Sequence, residues 1–273
     1  MPGALTGNYG KVQSSLFNIL IDEYGAGVHD VKHSTLFMKL MNSLGLASDP
    51  HVYWQFYQPS SLMLNNYFHF ITRNKRFFFK YIGALFYTEA SLANISKEQA
   101  ILVKDVFGNG VDTQYFDEHY HIDEHHGEMV LFRIIQPLLE QYGNQIVNDI
   151  LLGFEEFQLL QRLADEDILI QLEWADNLDT YRDKGDELFH KLPADVDLDT
   201  FDEALGERST THTHPDHRLL YIERGEMDFW SLVGDPVKLK EKDVLLIPKH
   251  RLHGSVVRSS SCLYHQPIIE SML

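Results

Sequence analysis

Two groups of histidines and carboxylates in this chain have the types and spacing to do metal chemistry. The first lies in residues 116–130, FDEHYHIDEHHGEMV, where His119, Asp123 and His126 form an H-x3-D-x2-H pattern. Offsets of four and seven return to one face of a helix, so two imidazoles and a carboxylate project from one stripe over two turns. That mixed nitrogen and oxygen set suits a first-row transition metal. His121 and His125 fall off the stripe, as do Glu118 and Glu124, with Glu124 placed to support a ligand. The bland alternative is a solvated polar face, which four histidines within eight residues argue against.

A stripe of three donors needs carboxylates from other helices to become a two-metal site. Glu89 sits in the apolar run YIGALFYTEASLANI, where an unpaired carboxylate would be costly to bury. A salt-bridged or exposed Glu is its plain alternative. The segment LIDEYGAGVHDVKHSTLFMKLMNSL, residues 20–44, offers Glu23, Asp30 and His33. His33 alone reads as a helix-start residue. Ten residues separate Glu23 from His33; on a straight helix that is ~15 Å, long for ligands of metals ~3.5–4 Å apart. Gly25 and Gly27 lie between them and could break the helix. Asp30, three residues before His33, is the local alternative.

The second group spans THTHPDHRLLYIERGEMDFW, residues 211–230, and KDVLLIPKHRLHGSV, residues 242–256. His212 and His214 alternate along a strand and so face one side. His253 arrives from a segment that could lie beside them. Three neutral imidazoles with open positions suit Fe(II), and also Zn, Ni or Cu. His190, His250 and His265 read as ordinary surface or hydrogen-bonded residues.

Different elements must position the two groups. Residues 12–24, 34–44, 60–72, 77–93, 115–140 and 146–163 place apolar residues three and four apart, as helices do. Gly45, Pro59, Gly108, Gly110 and Gly143 punctuate them, and Pro137 is expected to end or kink the fifth. Residues 182–207 are acidic and read as a linker that includes at most one short helix. From Thr210 onward short β-rich runs alternate with turns: 219–223, 227–233, 244–248, 255–258 and 262–265. The fold class expected is α+β in two domains, an all-α bundle over 1–181 and a small antiparallel barrel over 208–273.

Composition narrows the partners. The 273 residues allow one large domain or two modest ones. With 23 basic and 40 acidic residues the net charge is −17, so nucleic acid and anionic membrane surfaces are disfavoured. Hydrophobic residues at 44% and charged residues at 23% exclude wholesale disorder. The single cysteine, Cys262, forms no intramolecular disulfide, which suits a reducing, cytoplasmic compartment. MPGALTGNYGKVQSS lacks a secretory signal pattern, and no stretch of about 18 apolar residues reads as a membrane span.

Taken in order, DEYGAGVHDVKHSTLF, a Glu in an apolar helix, EHYHIDEHHGEMV and LLGFEEFQLLQRLADEDIL resemble the haem-oxygenase-like diiron oxidases and oxygenases over about residues 8–175. The resemblance implies a haem-oxygenase-like helical bundle holding two irons through Glu23, His33, Glu89, His119, Asp123 and His126. DEYG-x-G, a signature of the subgroup, favours Glu23 over Asp30. Relatives carry a further helix upstream of GNYGKVQ. This chain has only a few residues there, so a helical domain left open or completed by a partner chain, as in a homodimer, is expected.

The second group resembles the two motifs of the cupins. His212, His214 and Gly225 match the first motif, and Asp243, Pro248 and His253 the second. The resemblance implies one further Fe(II) or other divalent metal on His212, His214 and His253. Arg218 stands where a fourth ligand, Glu, is usual, and Arg cannot ligate. His217 could substitute only with a shifted register. Lys242 and His250 replace usual glycines. A cupin that binds no metal is the alternative. Family members that join the two domains are associated with N-oxygenation. The combination thus implies an O2-dependent oxidoreductase acting on an amine or amino-acid-derived small molecule in natural-product biosynthesis, with an external electron donor. A thiaminase-type catalyst would need a Cys in the helical pocket, and Cys262 lies in the barrel. A non-enzymatic metal or small-molecule sensor is the other alternative.

Overall fold

The computed structural model describes Leu5, residues 10–232 and residues 234–272. The side chains of residues 92–94, 124 and 271 lie outside that description, and with them the support expected of Glu124. The chain forms two compact units, Met1–Val52 with Pro59–Leu163, and Tyr53–Gln58 with Ala164–Leu273.

The first unit is helical. Its helices are α1 (Lys11–Glu23), α2 (His33–Ser43), α3 (Pro59–Arg73), α4 (Phe78–Phe107), α5 (Gln114–Met129), α6 (Gln136–Tyr142) and the first part of α7 (Val147–Asp176). Apolar residues three and four apart form its core, among them Leu16 and Ile19 of α1 and Tyr81, Ile82 and Leu85 of α4. Small residues let the helices that carry candidate ligands approach closely. A Cβ at Gly83 would stand 1.8 Å from the Ile150 carbonyl oxygen, and one at Gly153 2.0 Å from that of Lys80, so α4 and α7 touch backbone to backbone. Gly127 of α5 likewise faces Ala90 and the Glu89 carbonyl.

Pro137 does not end its helix. A π-helical turn, Val130–Ile135, joins α5 to α6, and Pro137 sits in the first turn of α6. Proline has no N–H and its ring crowds the carbonyl four residues back; the wider i→i+5 spacing just before it accommodates both. Gly143, at φ +70°, closes the run.

The second unit contains the end of α7, α8 (Leu178–Phe189) and eight strands: β1 (Thr200–Ala204), β2 (Arg208–His212), β3 (Arg218–Arg224), β4 (Glu226–Trp230), β5 (Val237–Lys240), β6 (Val244–Ile247), β7 (His253–Val257) and β8 (Ser261–His265). They make two four-stranded sheets, ordered β1-β8-β3-β6 and β2-β7-β4-β5, and every pairing is antiparallel. Between the sheets, Leu220, Ile222, Phe229, Ile247 and Val257 pack around Trp174 of α7. The β3–β4 turn needs Gly225: its φ is +95°, and a Cβ there would stand 2.2 Å from the Ser261 carbonyl oxygen.

The segment expected as a linker, 182–207, is instead part of this unit. It holds most of α8 and all of β1. Leu188 and Leu192 of this stretch pack with Leu219, Val244 and Leu246, and a Cβ at Gly185 would stand 2.9 Å from the Leu246 amide nitrogen, so α8 lies close against β6. The acidic residues occupy the rest of the helix surface, which is why the stretch reads as solvated in the sequence. The compact units accordingly divide at 163/164, with Tyr53–Gln58 added to the second, and not at 181 and 208.

Candidate metal centres

The first centre depends on a break in the chain. After α1, Gly25, Ala26 and Gly27 take left-handed φ values of +59°, 51° and +86°. Two short 3₁₀ turns, Gly25–Gly27 and His29–Val31, then lead into α2. A Cβ on Gly25 would stand 2.7 Å from the Lys32 amide nitrogen, so only glycine fits this reversal. The reversal brings together residues that a straight helix would hold apart: His33 Nδ1 lies 2.9 Å from Glu23 Oε2. Asp30, by contrast, is exposed, and its carbonyl takes a hydrogen bond from Lys39.

Six donors form two triads. Glu23, His33 and His119 offer ligand atoms within 4.8 Å of one another, and so do Glu89, Asp123 and His126. The stripe on α5 contributes to both. His119 donates from Nδ1 to the Tyr115 carbonyl at 2.7 Å, which leaves Nε2 as its free nitrogen, and its ring lies 4.4 Å from that of His33. His126 is fully buried and donates to Glu89 (3.1 Å) and to Asp22 (3.0 Å). Asp22 was not among the residues expected from sequence. The only trace of it there is the Asp22-Glu23 doublet at the end of α1. His121 and His125 are exposed.

The carboxylates of this centre have histidines as their cationic partners. Burial first, then the neighbouring Glu89 and Glu23 charges, push the Asp123 carboxyl up to about 7. Burial alone would lower His126, but its hydrogen bonds to Glu89 and Asp22 prevail and hold it at about 9. Among the described residues no Lys or Arg pairs with Glu23, Glu89 or Asp123. Glu89 and Asp123 are buried, and buried carboxylates are costly unless paired or ligated to metal. The donors present, three carboxylates and three imidazoles, therefore fit a pair of iron ions.

The second centre lies in the barrel, where His212, His214 and His253 offer ligand atoms within 4.8 Å of one another. His212 and His253 are register partners across β2 and β7. Each donates its Nδ1 proton to a backbone carbonyl two residues earlier, Thr210 at 2.7 Å and Arg251 at 2.8 Å. That fixes the tautomer and turns the Nε2 lone pair inward. The Nε2 atoms of His212 and His214 stand 3.2 Å apart, and that of His253 is buried without a partner. Burial, chiefly, holds His214 down at about 4 and His253 at about 3, so both rings are neutral near pH 7. Neutral imidazoles with converging lone pairs fit a divalent transition metal.

The remaining barrel histidines stay outside this group. His217 accepts a hydrogen bond from the Lys249 amide through Nδ1. His265 is buried and held by Thr200 and Glu223. The His250 amide donates to the His214 carbonyl. Gln171, fully buried, grips the turn before His253: its Nε2 donates to the His250 carbonyl (2.8 Å) and its Oε1 accepts from the Leu252 amide (3.0 Å).

Residues 3–162 match the family model for an iron-containing redox enzyme, and residues 201–262 match the cupin domain. The chain belongs to the iron-containing redox enzyme family. This family member is 44% identical over 261 residues to a nitrosourea synthase of Streptomyces achromogenes subsp. streptozoticus. The match covers 94% of the present chain and 55% of that relative, so the chain spans about half of the relative's length. Among solved structures it is similar to a cupin superfamily protein from Desulfitobacterium hafniense DCB-2 (23% identity, 26% of this chain, 62% of that chain, TM-score 0.24). It is also similar to KdgF from Halomonas sp. (22% identity, 29% of this chain, 79% of that chain, TM-score 0.23). No helix among the described residues is long and apolar enough to cross a membrane.

Proposed function

We propose that this iron-containing redox enzyme is an O2-dependent, non-haem diiron oxidase or oxygenase of natural-product biosynthesis, acting on an amine or amino-acid-derived small molecule. The observation that carries the reading is the pair of donor triads assembled from α1, α2, α4 and α5. Glu23, His33 and His119 would hold one iron, and Glu89, Asp123 and His126 the other. A bound iron pair supplies the electrons that activate O2 and the oxidising power for N–H or C–H bonds. The chain's own residues do the rest. The Tyr115 carbonyl orients His119, and Glu89 and Asp22 accept from the two ring nitrogens of His126 and orient it. Leu85 and Met129, buried near Glu89 and His126 in sequence, contribute to a dry helical core.

In the barrel, His212, His214 and His253 would hold one further divalent metal, Fe(II) among them. Similarity to a nitrosourea synthase supports N-oxygenation as the chemistry. An external electron donor, a homodimer and a cytoplasmic location complete the proposal. Anaerobic reconstitution with Fe(II), followed by mixing with O2, tests it. Two irons in the helical unit and a transient visible absorption band are expected. Metal binding with no reaction toward O2 would instead indicate a sensor.

A further inference from the structure

We propose that Arg218 makes the barrel centre a site for an anionic oxygen ligand, the carboxylate of an amino-acid-like molecule, which binds metal and guanidinium together. This inference rests on the reading that His212, His214 and His253 hold a divalent cation. It adds the chemical class of what binds beside that cation.

Strand parity places Arg218 inside the barrel. Leu220 and Ile222 on β3 pack in the core between the sheets, while Leu219 packs on the other side with Leu188, Val244 and Leu246. Arg218 shares the parity of Leu220 and Ile222, and its register partner on β6 is Ile247, also a member of the inner core. The histidines share this interior: Phe229 of the inner core stacks on the His253 ring, with centroids 5.6 Å apart.

The guanidinium is only partly committed. The Arg218 side chain is 15% exposed. Nη1 donates to Asp199 and to the Gln266 carbonyl, whereas Nε is buried without a partner. A buried donor with no acceptor favours a ligand that supplies one. Charge counting gives the sign. Three neutral imidazoles leave a divalent ion at +2, and Arg218 and Asp199 cancel. A barrel with a glutamate as fourth ligand would stand at +1. With Arg218 paired to Asp199, no protein carboxylate is left for the metal at this position, and a ligand's negative oxygen would take that place. A carboxylate does this with one oxygen on the metal and the other on the planar guanidinium. A neutral amide offers the acceptor without the charge, and a metal-bound amine offers neither.

The test uses the full chain carrying His119→Ala and Asp123→Ala, one ligand removed from each helical triad, loaded with Co(II), so that visible absorption reports the barrel. L-lysine is titrated in parallel with L-lysinamide, which differs only in the carboxyl group. L-lysine is expected to shift the Co(II) bands and to bind roughly tenfold or more tightly than the amide. Arg218→Gln should bring the two ligands to equal, weak affinity without loss of cobalt. Arg218→Lys, which keeps the charge and the pairing with Asp199 but loses the fork, should lose several-fold and serves if the Gln variant does not fold. Arg218→Glu should retain cobalt more strongly and no longer bind L-lysine. Unchanged preference for L-lysine in the Gln or Lys variant overturns the inference and leaves the metal reading intact. Cobalt content unaltered by His253→Ala overturns the metal reading, and this inference with it.

Discussion

Glu23 and Asp30 form a controlled pair of carboxylates on either side of one chain reversal. Glu23 lies 2.9 Å from His33, and Asp30 faces solvent. Glu23→Ala is expected to weaken iron uptake by roughly tenfold or more, and Asp30→Ala to leave it unchanged, as iron titration would show. Asp123→Ala should abolish the reaction with O2, by loss of the iron that Glu89, Asp123 and His126 would hold, while the barrel keeps its metal, checked by metal analysis of the purified variant. The α5 stripe was legible because helical offsets alone align His119, Asp123 and His126. Glu23 was legible only through resemblance, because spacing argues against it until Gly25 turns the chain. Asp22 was not legible, since its approach to His126 depends on how α1 lies against α5. Arg218 could be read as a departure from the cupin pattern, but its unpaired Nε is a property of packing.

At the level of elements, α4 carries Glu89 and is fixed against α7 by Gly83 and Gly153. Adding a methyl group at either glycine must push the helices apart. Gly83→Ala and Gly153→Ala are each expected to cost about 1–3 kcal/mol, seen as a lower Tm, and to loosen iron binding because Glu89 shifts with its helix. Alanine at Gly108, where a Cβ meets nothing within 4 Å, should cost less, although its φ of +87° still carries backbone strain. The helices were legible from their apolar spacing. The strands with buried runs, such as Val244–Ile247, were legible from β-rich sequence. β1 and β5 were not, because their half-exposed, polar patterns carry few apolar residues, and β2 was read only through its histidines: it ends at His212, so His214 follows the strand instead of alternating along it. The α8 helix was expected only as a short helix in a linker, and its packing was not legible for a related reason: one of its inward positions is Gly185, which leaves a thin apolar stripe on an acidic helix.

The whole molecule presents two candidate metal centres in two separate units, so their occupancies should separate. His212→Ala should empty the barrel and leave two irons in the helical unit. Removing metal from the wild-type chain with a chelator should lower Tm, because ligands bound only by the folded state stabilise it, by about 2.7 kcal/mol at a hundredfold excess over Kd. Re-addition of Fe(II) should restore it. The two-part architecture was legible in the change of texture along the chain, but the boundary was not. Trp174, the largest fully buried side chain of the barrel core, is supplied by the last turns of a helix that begins at Val147. Gln58, from the short stretch Tyr53–Gln58, accepts a hydrogen bond from Gln171, and the Gln55 carbonyl accepts one from Thr211. The barrel's stuffing is thus encoded far upstream of its first strand. A fragment beginning at Thr200 would be born hollow and should aggregate, so a recombination event that grafts this module onto another gene must carry the tail of the long helix with it.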